Sequence, residues 1–185
     1  MAAILSVSGS PSPTSRTARL LRHLDDRLRL HGHQVTPLDV RTLPAEALLG
    51  ADFRHPAITG AASLFERADG VVVGTPVYKA AYSGLLKLLL DLLPQYALAG
   101  KTVFPLATGG STAHVLAIDY ALRPVLSSMG ALHVVPGWFT LDKDITVDDN
   151  GATVVAPGAA EALSQVTDQF SAALSARTAA LAPTG

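Results

Sequence analysis

Residues 2–24 read AAILSVSGSPSPTSRTARLLRHL, and the order of events within them decides the fold. The apolar run at 2–7 has the length and character of a buried strand. It stops abruptly at Gly9-Ser10-Pro11, residue types that turn the chain. A helical pattern beginning TSRTARLLRHL follows directly. A strand that ends in a small polar loop and opens a helix is half of a βαβ unit. The loop between the two is where such a unit holds a ligand.

The same alternation continues along the chain. After the helix at 15–31 a second strand is expected at 33–38, then a Pro- and Ala-containing connection over 41–58 and a short helix near 60–68. GVVVGT (70–75) is a β-branched strand framed by glycines. A Leu-rich helix at 83–93 stops at Pro94. KTVFPLAT (101–108) is the next strand, a helix is expected over 112–128, and ALHVVPGWF (131–139) supplies the fifth strand. ITVDDNGATVV reads as a hairpin turning at Asn150-Gly151, and a last helix covers 158–179. Five buried strands alternating with helices predict an α/β fold: a doubly wound, five-stranded parallel sheet of order 2-1-3-4-5 with helices on both faces. One domain is expected over 1–180, with a frayed tail at 181–185.

Composition narrows the function. The 185 residues carry a net charge of −1, are 49% hydrophobic and only 16% charged, so a folded core is expected and a basic nucleic-acid-binding face is not. The absence of cysteine removes disulfides, thiolate nucleophiles and Cys-bound metal, so any redox chemistry belongs to a bound cofactor. No signal peptide or membrane span is read, since Lys87 and Asp91 interrupt GLLKLLLDLL, and the expected location is the cytoplasm.

In the expected topology ligands bind at the carboxyl ends of the strands, at the switch point between strands 1 and 3. Three loops meet there. The first carries Ser10, Ser15, Arg16 and Thr17 at a helix N-terminus, which favours an anion such as phosphate. It matches neither GxxxxGK[ST] nor GxGxxG, and a plain helix cap explains it equally well in isolation. The second, TPVYKAAYSG, offers Pro76, Val77 and Tyr78 to a flat ligand, with Ser83 as a cap. The third, TGGST, brings Thr108, Gly109, Gly110 and Ser111, whose backbone permits close contact with a ring edge. Together they describe a site for a phosphate joined to a planar ring.

The blocks GSPSPTSRT, TPVYKAAYSGLLKLLLDLLP, ALAGKTVFPLATGGSTAH and AIDYALRPVL resemble the NADPH-dependent FMN reductase family of flavodoxin-like fold, over about residues 4–140. They are most similar to its alkanesulfonate-system branch, which feeds reduced flavin to a separate monooxygenase. The resemblance implies FMN and NADPH or NADH as cofactors, with no protein acid or base required. It places Ser10, Ser15, Arg16 and Thr17 on the FMN phosphate, Pro76, Val77 and Tyr78 along the isoalloxazine, and Thr108, Gly109, Gly110 and Ser111 near its polar edge. It also implies a homo-oligomer, dimer or tetramer, and a flavin-dependent monooxygenase partner. An FMN-retaining quinone or azo reductase and a flavodoxin-type electron carrier are the alternatives.

TAHVLAIDYALRPVLSS reads as one helix with Pro124 well inside it. That proline removes an N–H and its ring collides with the carbonyl of Tyr120, so a kink or a π-bulge is expected. The resemblance links such a bulge at Tyr120 to flavin handling at a subunit interface. The wide leucine belt of 83–93 suits either a helix packed against both the sheet and a second chain or one buried deeply in its own domain. His114 is read as a helix-face residue, His31 and His33 as solvated, and Asp25-Asp26 and Asp148-Asp149 as exposed acidic pairs. No metal site is expected.

Overall fold

A computed structural model of the chain describes residues 1–181; apart from Leu181, the expected tail at 181–185 lies outside the described residues. Strands β1 (Ala3–Ser8), β2 (Gln34–Asp39), β3 (Gly70–Tyr78) and β5 (Thr102–Gly109) form the body of one sheet, and β4 (Ala81–Tyr82) is a short hairpin partner of β3. β6 (His133–Val134) and β7 (Trp138–Leu141) both pair with β5, giving the order β2-β1-β3-β5-β6/β7 with every pairing parallel except β3 with β4. This is the expected 2-1-3-4-5 arrangement, with its fifth strand in two pieces.

Side chains alternate across the sheet as period two requires. Leu5, Val7, Val71, Val73 and Val103 face the core shared with α2 (Ala45–Leu49), α3 (Pro56–Arg67), α4 (Gly84–Leu92) and α5 (Arg123–Ser128). Ile4, Val72, Phe104 and Leu106 face the other core, under α1 (Arg16–Leu30) and α6 (Pro157–Leu181). α1 buries Leu20, Leu21, Leu24 and Leu28 as one stripe, is capped by Ser15, and ends where Gly32 takes φ 82°.

The break in the fifth strand has a local cause. The Val135 N–H donates to the Val103 carbonyl at 2.9 Å, so by alternation Pro105 faces the same neighbour and has no N–H to offer its ladder. Opposite it stand Pro136 and Gly137. A Cβ on Gly137 would lie 2.6 Å from Ile118 Cγ2, so only glycine lets the neighbouring helical segment approach. Beyond the gap β7 continues to Leu141, two residues further than expected, and pairs with β5 as far as Gly109.

The expected helix at 112–128 is likewise divided. A 3₁₀ turn at Thr112–His114 leads into a π-helix at Ile118–Leu122 and then α5. The Tyr120 N–H still donates to the Leu116 carbonyl at 2.9 Å, whereas the Arg123 N–H reaches back to Ile118. Widening the turn by one residue is how this segment accommodates Pro124. The connection at 41–58 contains a 3₁₀ turn (Val40–Thr42), α2 and the start of α3. The hairpin of β8 (Ile145–Val147) and β9 (Thr153–Val155) closes through a longer loop than two residues, and Asp148 Oδ1 accepts from the N–H groups of Asn150 and Ala152 at 3.0 and 2.8 Å.

Two polar residues read as solvated are buried. Asp25 lies one turn beyond Leu21 on the sheet-facing side of α1, only 3% exposed. His33 is tucked under α6, with Nε2 2.7 Å from Ser171 Oγ. As for the leucine belt, Leu86, Leu89, Leu90 and Leu92 are buried and Leu85 and Leu88 half-buried against the chain's own core. The belt is therefore accounted for largely within the domain.

Candidate functional site

The loops leaving the carboxyl ends of β1, β3 and β5 are stitched into one rigid rim. The Gly9 N–H donates to the Gly74 carbonyl at 2.8 Å, and the Ser83 hydroxyl donates to the Gly9 carbonyl. Ser83 Oγ also accepts from the Leu86 N–H at 3.1 Å, so one side chain caps α4 and clamps the first loop. Thr75 Oγ1 accepts from the Ser83 N–H and donates to the Pro76 carbonyl, each at 2.9 Å. The Thr17 and Thr108 hydroxyls meet at 2.7 Å, fully buried, and tie the first loop to the third.

Within this rim lies a cleft of about 260 Å³. Ser10, Ser15, Arg16 and Thr17 line it from the first loop, Pro76, Val77 and Tyr78 from the second, and Thr108 and Gly109 from the third. Gly110 and Ser111 stand beside it without lining it; the Ser111 hydroxyl instead accepts from the Ala113 N–H at 3.2 Å. Tyr120 does not line it either, and projects 78% exposed from the π-helix. Ser12, Thr14 and Asp142 line the cleft in addition.

The first-loop side is built for an anion. Ser12 N–H donates to Ser10 Oγ and Thr14 N–H to Ser12 Oγ, both at 3.3 Å, which fixes the loop in successive hydroxyl-closed turns. Among the described residues no acceptor is paired with the backbone N–H groups of Arg16 and Thr17, the first two of α1. These donors, the positive end of the helix and the unpaired Arg16 guanidinium fit a phosphate monoester. No glycine-rich wrap for a pyrophosphate is present.

The opposite wall suits a flat ring. β3 runs on to Tyr78 and turns back through Lys79 and Ala80 at φ 51° and 64°, a two-residue hairpin that holds half-exposed Tyr78 at the cleft. On the third loop, a Cβ on Gly109 would lie 3.1 Å from the Phe139 ring and 3.6 Å from His114 Nδ1, so bare backbone is presented there. His114, read as a helix-face residue, keeps that Nδ1 buried and, among the described residues, without a hydrogen-bond partner.

Asp142 is the residue that sequence reasoning missed. It is half-buried, follows Leu141, whose register partner is Gly109, and is the cleft's one carboxylate among the described residues. The signal was present in Trp138-Phe139-Thr140, whose aromatic and β-branched character extends the strand past 139 and makes Asp142 its carboxyl-end residue. No group of three or more metal-ligating side chains occurs among the described residues.

The family model described as NADPH-dependent FMN reductase matches residues 2–146. An FMN reductase (NADPH) of Pseudomonas putida is 49% identical over 142 residues, covering 77% of this chain and 72% of that protein. One from Escherichia coli is 46% identical over 142 residues, covering 77% and 74%. The crystal structure of an NADH:FMN oxidoreductase in its apo form superposes with a TM-score of 0.84 at 42% identity, covering 94% of this chain and 90% of that one. With the doubly wound sheet and its polar cleft, these similarities establish that the chain belongs to the NADPH-dependent FMN reductase family, oxidoreductases that work with FMN and a reduced pyridine nucleotide.

Proposed function

We propose that the chain binds FMN in the cleft between the β1, β3 and β5 loops, as a reductase whose flavin comes and goes rather than staying bound. The phosphate sits on the α1 N-terminus against Ser10, Ser15, Arg16 and Thr17. The isoalloxazine lies along Pro76, Val77 and Tyr78, with its polar edge at Thr108 and Gly109. FMN and NADPH or NADH supply the chemistry, a hydride passing from nicotinamide C4 to flavin N5. The chain's residues bind, orient and exclude water, and no side chain is needed as acid or base. The observation that supports this best is the donor set of the first loop: hydroxyls, free helix N–H groups and an unpaired Arg16.

Reduced flavin then passes to a flavin-dependent monooxygenase of the alkanesulfonate type, as the resemblance implies, with the protein working in the cytoplasm as a single domain over 1–180. The active species is a homo-oligomer, dimer or tetramer. Leu116 and Tyr120, one turn apart and both exposed, form the face that a second copy covers. Among the described residues no helix is long and apolar enough to cross a membrane.

The test is consumption of NADPH and of NADH by purified protein with free FMN as sole acceptor, its flavin content recorded beforehand. The expected result is turnover that saturates with FMN by a protein carrying less than one flavin per chain. Stoichiometric flavin with faster turnover on quinones or azo dyes would support the flavin-retaining reductase instead. No consumption of either nucleotide would overturn the reading in favour of an electron carrier. In parallel, Arg16→Ala is expected to weaken FMN binding by roughly 10- to 100-fold, the worth of a charge-assisted contact, with kcat little changed. Unchanged FMN affinity would remove the phosphate assignment.

A further inference from the structure

We infer that Asp142 sets the balance between holding oxidised and holding reduced flavin, and that its carboxylate drives the reduced form out. The inference rests on the proposed FMN cleft. Three observations carry it. Asp142 lines the cleft, and among the described residues no other carboxylate does. Its carboxylate makes no hydrogen bond or ion pair among the described residues, its backbone carbonyl alone accepting from the Ile145 N–H, whereas Asp26, Asp39, Asp91, Asp119 and Asp168 each have a basic partner. Its place follows from the sheet: Thr140 pairs with Thr108 and Leu141 with Gly109, and Asp142 opens the 3₁₀ turn that follows, lining the cleft together with Thr108 and Gly109, the expected polar edge of the ring.

The charge balance of the reaction gives this position its consequence. Hydride delivery moves two electrons and one proton from the nicotinamide to FMN, so the nucleotide gains one positive charge and the flavin one negative charge. Until a proton arrives from solvent, that charge is shared across the ring and its polar edge. An unpaired carboxylate alongside repels it, while the neutral oxidised ring escapes this penalty. Arg16 belongs to the phosphate side and serves both oxidation states alike. His114, on the other side of Gly109, contributes an unpaired ring nitrogen and not a fixed anion. The carboxylate thus makes a cleft that accepts the oxidised flavin and yields the reduced one, as a supplier of reduced flavin needs.

The experiment is anaerobic titration of wild type, Asp142→Asn and Asp142→Glu with FMN and with riboflavin, each in oxidised and chemically reduced form. Asp142→Asn is expected to tighten reduced flavin about tenfold and oxidised flavin less than about threefold, for FMN and riboflavin alike. Asp142→Glu is expected to keep the wild-type ratio of the two affinities. An unchanged ratio in Asp142→Asn overturns the inference, and so does a gain shown by FMN and not by riboflavin, which would put the carboxylate against the phosphate. A binding-incompetent Asp142→Asn is replaced by Asp142→Ser, read in the same way. If wild type binds no FMN, or Arg16→Ala binds it as tightly as wild type, the cleft assignment fails. With those two controls intact, a constant ratio counts against Asp142 alone.

Discussion

Asp25 shows what a single misplaced charge does to this molecule. Burial is the largest influence on its carboxyl and pushes the pKa from the ordinary 3.8 up to about 6, against the opposing pull of the Ser6 hydroxyl and Arg29. Its Oδ1 has no hydrogen-bond partner among the described residues. A carboxyl that holds its proton more tightly folded than unfolded favours the fold while both states are protonated, and this advantage is lost as pH rises through the interval from about 4 to about 6. Above it the buried charge costs up to about 3 kcal/mol. Asp25→Asn is therefore expected to raise Tm by several degrees at about pH 7.5 and to do much less at about pH 4, where the wild-type carboxyl is already neutral. Equal gains at both pH values in thermal melts would assign the effect to packing. The sequence did not show this burial, because Asp25-Asp26 looks the same whichever residue faces the sheet. Arg16 and the hydroxyls around it were legible because their chemistry is local to one loop.

At the scale of elements, the β3–β4 hairpin stores strain beside the cleft. Lys79 and Ala80 both sit in the left-handed region, which costs a residue with a Cβ roughly 1–2 kcal/mol. Ala80→Gly is expected to raise stability by about 1 kcal/mol, seen as a higher urea midpoint at unchanged m. A lower midpoint would show that the Ala80 side chain makes a contact outweighing its strain. This hairpin was not foreseen, since KAA carries none of the usual Asn-Gly signals of such a turn. For the helix containing Pro124 the sequence leaves a kink or a π-bulge open, with the resemblance pointing to a bulge at Tyr120, and the structure has the π-helix. Sequence shows that the Tyr120 carbonyl loses its partner, whereas the close approach of Ile118 to Gly137, in the break between β6 and β7, shows only in the folded chain. For Asp142 the strand's extension was legible in Trp138-Phe139-Thr140, but its place at the cleft follows from Leu141 pairing with Gly109, a contact remote in sequence.

Over the whole molecule, the alternation of strand and helix was enough to order the sheet, because parallel strands joined by right-handed crossovers leave few arrangements open. What stayed illegible was the outer surface, where the proposed second copy would sit. Tyr120→Asp is expected to shift the protein to a smaller species in sedimentation and to leave the far-ultraviolet circular dichroism unchanged, since the side chain is 78% exposed in the isolated chain. An unchanged oligomer would remove the π-helix from that interface.

The interrupted fifth strand has a consequence for the protein in a crowded solution. A sheet's outermost strands offer unpaired backbone to any passing chain, and long flat ones seed aggregates. Here one margin, β2, carries Pro37, and the other is cut by Pro136 into pieces of two and four residues. Neither margin gives an intruding strand an unbroken row of donors to copy. The break that admits the π-helix also keeps the sheet from growing.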